Sequence, residues 1–205
     1  NNERKIISFT KNPLENTNLI GELFTAISQQ QVVELHYHKF NAPDEVLTVN
    51  VHPYLLKEYN RRWFLIAAAE TDGKILNFGL ERINKITALP AHTYLEYAGD
   101  INEIFEDIIG VTNYTENEVL KILFWVSDSS KDYVMSKPLH DSQRYYRGDV
   151  DEVYRKQYPM LHGGSFFSVE CKENYELIRE LTSYGEHIVV MSPKCIIDKV
   201  QQRIT

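Results

Sequence analysis

The sequence predicts an α+β protein, in which a small antiparallel β-barrel or strongly bent sheet with one N-terminal helix precedes a compact α/β domain. About five short strands with alternating apolar residues fall within residues 33–89, and this spacing is typical of small antiparallel barrels. In the last third of the chain, strands and helices alternate instead. This alternation favours a second, separate α/β domain.

The barrel region begins with a helix over residues 18–31, where Leu19, Leu23 and Ile27 recur at helical spacing and Asn18 suits an N-cap. Strands follow at residues 33–37, 46–57, 62–69, 75–79 and 85–89. Turns are predicted at residues 41–44, 59–61 and 71–74, the last of the Asp-Gly type. Pro53 interrupts the second strand, so it must lie at a sheet edge or at a bend.

The middle of the chain is acidic. Residues 91–119 contain seven Asp and Glu side chains and no Lys or Arg, so the whole net charge of −7 lies there. A short helix is predicted over residues 100–109, with Gly110 at its end. Beyond it we predict strands at 120–126, 143–147, 165–171 and 187–191, and helices at 129–135, 174–183 and from Pro193 to about 203.

Composition excludes several classes of protein. The chain contains no run of about 18 apolar residues that could cross a membrane, and its N-terminus lacks the apolar core of a signal peptide. Its two cysteines, Cys171 and Cys195, make neither a disulfide framework nor a zinc ligand set. We therefore expect a cytoplasmic protein with reduced thiols.

No catalytic motif is present. The sequence lacks a glycine-rich phosphate loop, a paired Cys-x-x-Cys and a nucleophile elbow. His36 and His38 share one strand face, but two ligands without a third favour solvated histidines over a metal site. Asp149 and Asp151 fit a polar loop over residues 148–152 better than a metal-binding pair. The sequence thus predicts a protein that is not an enzyme and that uses no metal or cofactor.

A basic and aromatic stretch surrounds the turn between the second and third predicted strands. Aromatic rings offer stacking faces and Arg offers paired donors for phosphate oxygens, which together suit an anionic ligand. A solvated basic hairpin is the alternative, and Trp63 with Phe64 also suits a core. The residues concerned are His52, Tyr54, Lys57, Tyr59, Arg61 and Arg62, with Arg82 after a later strand.

The same residues resemble a known family. HPYLLKEY at 52–59, RWFLI at 62–66 and FGLERI at 78–83 resemble the WYL domain of bacterial transcriptional regulators, whose naming triplet is present as Trp63-Phe64-Leu65. Phe64 replaces the family's Tyr and lacks its hydroxyl. Downstream, PLHDSQ at 138–143, SYG at 183–185 and VVMSP at 189–193 resemble the WCX extension that follows WYL domains.

The resemblance implies four segments. Residues 1–17 would lead from a missing DNA-binding domain, residues 18–90 would form a WYL domain with an Sm/SH3-like barrel, and residues 91–118 would be an acidic connector. Residues 119–205 would form a WCX domain of ferredoxin-like α/β type. A helix-turn-helix needs several helices, for which residues 1–17 leave no room. We expect either a truncated regulator or a stand-alone sensor.

The resemblance also implies a function. Such a chain would sense a nucleotide or short single-stranded nucleic acid, would form a homodimer, and would meet operator DNA only through the missing N-terminal domain. A protein-interaction and dimerisation module without a small ligand is the alternative, because Arg and Tyr are also enriched at protein interfaces. The implied ligand-binding residues are Tyr37, His52, Tyr54, Lys57, Arg62, Trp63 and Arg82, together with Arg144 and Arg147 of the WCX segment.

The WCX segment at residues 143–147, QRYYR, repeats the Arg and Tyr chemistry of the WYL patch. One hypothesis is that this segment approaches the WYL patch of the partner subunit and completes a composite pocket. The alternative is an exposed strand whose Arg stems cover apolar surface.

Overall fold

A computed structural model of the chain describes residues 18–40 and 42–204. These residues form two compact units that divide between Ile101 and Asn102. Within this described part, both units combine antiparallel sheets with α-helices, five helices in all, so the predicted mixed class is confirmed. The predicted N-terminal segment, residues 1–17, and Asn41 of the predicted turn lie outside the described residues.

Unit 1 consists of one helix and a five-stranded antiparallel sheet of order β4-β3-β2-β1-β5. A 3₁₀ turn, Leu80–Arg82, joins the last two strands. The elements are α1 (Asn18–Ser28), β1 (Val33–Lys39), β2 (Ala42–Tyr59), β3 (Arg62–Ala69), β4 (Ile75–Gly79) and β5 (Ile83–Ala88).

The core of unit 1 follows the two periodicities of its sequence. Helix α1 buries Leu19 and Leu23 at helical spacing, and β1 buries Val33 and Leu35 at alternate positions. The helix ends at Ser28, before its predicted end at residue 31, and the chain turns at Gln30, whose φ is 51°. The polar run that follows the helix contributes no apolar side chain to its buried face.

The sheet of unit 1 is strongly bent, because a short link joins its two edges. β4 ends at Gly79 and β5 begins at Ile83, although these strands are the opposite edges of the sheet. Four strand spacings separate the edges of a flat sheet by about 19 Å, whereas four peptide steps span at most about 14 Å. The predicted closed barrel is not confirmed: among the described residues, no ladder joins β4 to β5.

Strand β2 contains the predicted irregularity at Pro53. Its pairing with β1 ends at Val51, and its register with β3 shifts between Pro53 and Leu55. The proline thus lies next to an irregularity of the ladder, where its missing N–H is tolerated. The hairpin from β2 to β3 turns at Asn60 and Arg61, whose φ values of 51° and 62° are those of a type I′ turn.

Unit 2 contains a four-stranded antiparallel sheet of order β7-β8-β6-β9 and four helices. Its elements are β6 (Val119–Val126), α2 (Asp128–Ser136), β7 (Arg144–Tyr145), α3 (Asp149–Gln157), β8 (Ser165–Lys172), α4 (Tyr175–Ser183), β9 (Ile188–Ser192) and α5 (Lys194–Ile204).

One face of this sheet forms the core of unit 2. Phe124 of β6 and Phe167 of β8 are fully buried and stack with their ring centroids 5.8 Å apart. Helix α4 adds Leu177 and Leu181 to the same cluster. The alternating apolar residues of β6 and β8 therefore give unit 2 a core of its own.

Helix α3 occupies the segment for which a polar loop was predicted, so that prediction is wrong. Val150, Val153 and Tyr154 lie at helical spacing in α3, although none of its residues is buried. Acidic side chains in its first turn and basic ones in its last turn favour the helix through its dipole. Arg155 Nε also donates to Asp151 Oδ2 at 2.6 Å, one helical turn away.

The acidic segment 91–118 contains no α-helix; the helix predicted over 100–109 is only a 3₁₀ turn at Ile101–Phe105. The residues that follow are drawn into unit 2, where Ile109 and Val111 are buried. Gly110 has a φ of 87°, and a Cβ there would lie 2.6 Å from Glu176 Cγ. Glycine is therefore required at this close approach of the segment to α4.

The two thiols should react very differently. Cys171 and Cys195 are both free, but Cys171 is buried and Cys195 is exposed. Burial, followed by the nearby Asp107 carboxylate, raises the pKa of Cys171 to about 12. We expect a thiolate-reactive reagent at neutral pH to titrate Cys195 alone in the folded chain and both thiols in urea. Rapid reaction of both thiols in the folded chain would contradict this burial.

Candidate functional site

An Arg and aromatic cluster lies where the link between β4 and β5 meets the end of β1. Arg82 belongs to the 3₁₀ turn, and its guanidinium carbon lies 4.8 Å from the ring centroid of Tyr37 and 4.4 Å from that of Phe40. Arg62, the first residue of β3, lies 5.7 Å from the Phe40 centroid. With Glu81, these residues form what we call the Arg62–Arg82 cluster.

The members of the cluster differ in exposure. The side chain of Arg82 is 18% exposed, so the two rings hold it in place. The side chain of Arg62 is 55% exposed, and Phe40 is 63% exposed. The cluster therefore combines one fixed guanidinium with one open guanidinium and an open aromatic face. This combination can bind a phosphate and stack a planar ring.

Glu81 adds a negative charge between the two guanidinium groups. Its Oε1 lies 3.7 Å from Arg62 Nη1 and 3.9 Å from Arg82 Nε. Both Glu81 Oε1 and Arg82 Nε are buried and lack a hydrogen-bond partner among the described residues. Buried polar atoms are normally hydrogen-bonded, so Arg82 Nε marks a place where an anionic ligand could supply the missing acceptor.

Tyr37 supports the cluster from inside the sheet. Its ring is buried and meets Phe78 edge to face, with centroids 5.1 Å apart. Burial raises the pKa of Tyr37, and the neighbouring Arg82 offsets part of that rise. The phenol is therefore neutral at physiological pH and serves as a packed wall for Arg82.

His52 and Tyr54 belong to a different arrangement in unit 1. His52 is buried, and its Nδ1 accepts a hydrogen bond from Leu95 N at 3.1 Å, while Tyr54 Oη donates to Leu95 O at 3.0 Å. Tyr94 Oη donates to Pro53 O at 2.6 Å, and burial raises the pKa of Tyr94 to about 12. These side chains anchor the segment after β5 and are not part of the Arg62–Arg82 cluster.

Trp63 and Lys57 are placed by the β2–β3 hairpin. Trp63 is partly buried and packs against the core of unit 1. Lys57 pairs across the hairpin with Phe64, and Phe64 pairs in turn with Gly79 of β4. Of the seven residues implied for the WYL region, the structure thus brings Tyr37, Arg62 and Arg82 together.

Arg144 and Arg147 flank two tyrosines, Tyr145 and Tyr146, at and directly after β7 of unit 2. Arg144 is exposed and pairs with Ser168, while the Arg147 guanidinium lies 4.4 Å from the Tyr145 ring centroid. Lys131 Nζ lies 5.1 Å from the same ring. Hydrogen bonding to Lys131 is the main cause of the lowered pKa of Tyr145. Unit 2 therefore carries its own cationic and aromatic cluster.

The sequence analysis missed Phe40 and Glu81. Phe40 follows β1 directly, and the sequence signal was an aromatic residue at the predicted end of a strand, beside a turn. Glu81 lies within the FGLERI stretch, where the neighbouring residues give no sign of its role. Its position beside both guanidinium groups depends on the link that crosses between the sheet edges.

The two strand histidines have partners within unit 1. His36 Nε2 lies 3.0 Å from Glu34 Oε1, and His38 Nδ1 lies 3.1 Å from Asn84 Oδ1. Over residues 18–40 and 42–204, no three side chains of His, Cys, Asp or Glu are grouped as a metal site would require. Within the same ranges, no helix has the length and apolar character needed to span a membrane.

Two solved structures are similar to the chain. Proteasome accessory factor B/C (PafBC) of Arthrobacter aurescens is 14% identical, with a TM-score of 0.38 over 97% of this chain and 28% of that one. A CRISPR Cas-related protein is 10% identical, with a TM-score of 0.52 over 91% of this chain and 50% of that one. The chain thus spans half or less of either protein, and the similarity at such identity concerns the fold alone.

Sequence comparison finds a family match in the first unit. No curated protein matches the chain. Residues 18–88 match the family model of the WYL domain, so this part of the resemblance is confirmed, while the WCX extension and the missing helix-turn-helix stay predictions. The region that holds the Arg62–Arg82 cluster is therefore similar to a WYL domain.

Proposed function

We propose that the chain is the ligand-sensing and dimerisation portion of a bacterial transcriptional regulator that works in the cytoplasm. The Arg62–Arg82 cluster holds its effector, a nucleotide or a short single-stranded nucleic acid. Operator DNA would be read by an attached helix-turn-helix, for which residues 1–17 leave no room. The role is one of binding, not catalysis.

The placement of Arg82 between two aromatic rings is the observation that carries this proposal. A guanidinium fixed by Tyr37 and Phe40 keeps its donors oriented at little cost in entropy. Arg62 adds a second, open guanidinium for the same phosphate group. The exposed face of Phe40 offers a stacking surface for a base, and such stacking tolerates any base sequence.

The proposal includes a WCX domain of ferredoxin-like type in unit 2. Its support is the strand order β7-β8-β6-β9, with α2 between β6 and β7 and α4 between β8 and β9. We also propose that the exposed Arg144 and Arg147 contribute to effector binding in a homodimer. Here the support is chemical, because Arg147 repeats on Tyr145 the stacking of Arg82 on Tyr37.

The effector acts by population shift. Two arrangements of the regulator differ in their affinity for the effector, and binding favours the arrangement with the more complete site. An effector with equal affinity for both arrangements would change nothing, however tightly it bound. The spacing of the two DNA-binding domains follows the favoured arrangement.

The test is fluorescence anisotropy of a labelled short oligothymidylate at about 50 and 200 mM salt. We expect binding that weakens as salt rises, because phosphate contacts release counterions. Arg62→Ala should weaken binding roughly tenfold and lower the salt dependence by about one phosphate contact. Lys85→Ala is the matched control: this exposed side chain of β5 carries the same charge outside the cluster, so its loss should change affinity less than twofold.

Two results would count against this function. An affinity that does not change with salt would show that the protein makes no phosphate contact. Equal losses of affinity in Arg62→Ala and Lys85→Ala would show that the Arg62–Arg82 cluster is not the binding site. Absence of binding to nucleotides and oligonucleotides alike would favour the protein-interaction module instead, with Phe40 and Arg62 as its exposed contacts.

A further inference from the structure

We propose that Glu81 is a resident competing anion of the Arg62–Arg82 cluster, which an incoming phosphate must displace. The inference rests on the proposed function, since it concerns the regulation of the same site. The carboxylate of Glu81 sets the effector concentration at which the site fills. A cluster without this charge would bind anions more tightly and would respond at lower concentrations.

The distances show that one carboxylate oxygen, Glu81 Oε1, is attracted to both cations but is not hydrogen-bonded. Separations of 3.7 Å to Arg62 Nη1 and 3.9 Å to Arg82 Nε exceed the usual N–H···O range of about 2.7–3.2 Å. Among the described residues, neither Glu81 Oε1 nor Arg82 Nε has a hydrogen-bond partner, although both are buried. A phosphate oxygen placed against Arg82 would form a bond that Glu81 leaves unmade.

The backbone holds Glu81 near the two cations. Glu81 is the middle residue of the three-residue link, and its side chain is only 22% exposed. A Cβ at Gly79 would lie 2.7 Å from Glu81 Oε1, so the carboxylate packs directly against the glycine backbone. The sequence Gly79-Leu80-Glu81-Arg82 therefore fixes both the cation and its competitor within one turn.

The charges give the direction of the effect. Two guanidinium groups and one carboxylate leave the cluster with one net positive charge, and removal of the carboxylate charge doubles it. A partly exposed ion pair of this kind is worth little, so the gain should be modest. We expect Glu81→Gln, which keeps the shape of the side chain, to bind anions roughly fivefold more tightly.

The experiment compares the wild-type chain, Glu81→Gln and Glu22→Gln by anisotropy with the labelled oligothymidylate. Glu22 is an exposed residue of α1 outside the cluster, so its variant controls for the change in net charge. Far-UV circular dichroism checks that all three chains are folded. The expected result is tighter binding in Glu81→Gln alone.

A second probe separates this inference from the proposed function. Inorganic phosphate should raise the melting temperature of Glu81→Gln at lower concentrations than that of the wild-type chain, because a ligand stabilises the form that binds it. If phosphate shifts the melting temperature in this way but oligothymidylate does not bind, Glu81 competes with anions and the effector is not a nucleic acid. If Glu81→Gln binds both probes as tightly as the wild-type chain, or less tightly, Glu81 is not a competing anion. Weaker binding would indicate that Glu81 orients Arg82. Failure of both chains to bind either probe would overturn both ideas.

Discussion

Replacement of Asn174 by Ala should lower the free energy of unfolding of unit 2 by about 3 kcal/mol. Asn174 is 2% exposed and caps α4, since its Oδ1 accepts from Leu177 N at 2.8 Å. Its Nδ2 donates to the carbonyls of Ile109 and Thr112, at 2.8 and 2.9 Å. The alanine variant loses the cap and leaves two carbonyl groups without their donor.

The two tryptophans allow a measurement on unit 2 alone. Trp63 belongs to unit 1 and Trp125 to unit 2, so a Trp63→Phe background leaves Trp125 as the fluorescent reporter during urea unfolding. Asn117→Ala is the matched control, because Asn117 makes one such bond, from Nδ2 to Glu173 O at 2.9 Å. Its cost should be about 1 kcal/mol. Equal costs for the two variants would contradict the bridging role of Asn174.

Replacement of Arg82 by Ala should weaken effector binding by about a hundredfold. The change removes the guanidinium that we propose to bind phosphate, together with its contacts to the rings of Phe40 and Tyr37. Arg82→Lys should still weaken binding by roughly tenfold, since Lys keeps the charge but neither stacks between rings nor donates as a planar pair. Titration of the labelled oligothymidylate gives both values.

The Lys variant also separates binding from folding. Arg82 is mostly buried, so the Ala variant must first show the far-UV spectrum and the tryptophan fluorescence of the wild-type chain. If the Ala variant is unfolded, Arg82→Lys alone decides the matter. Wild-type affinity in a folded Arg82→Lys chain would show that charge alone suffices and that stacking contributes nothing.

The local parts of the fold could be predicted from the sequence. Period 2 in β1 predicted that Val33, Leu35 and Tyr37 share a face, and helical spacing predicted the buried side of α1. The irregularity beside Pro53 followed from the missing N–H of proline. Each of these predictions depends on residues that are close in the chain.

The remaining features depend on distant contacts. The polar atoms of His52 and Tyr54 are hydrogen-bonded to the backbone of Leu95, about 40 positions later, so strand alternation could not reveal their anchoring role. Helix α3 gains its support from the Asp151–Arg155 pair, from the carbonyls of Gly163 and Gly164, and from the ring contact of Tyr154 with Phe166. Hydrophobic periodicity along the chain does not reveal such contacts between distant residues.

The link that joins the two edges of the bent sheet has a consequence for folding. β5 pairs with β1, about 50 residues earlier in the chain, and Arg82 immediately precedes β5. Such a pairing of high sequence separation pays its loop-closure entropy late. We therefore expect the contact between Tyr37 and Arg82 to form together with the β1–β5 pairing. Under the proposed function, effector binding would therefore require the completed sheet.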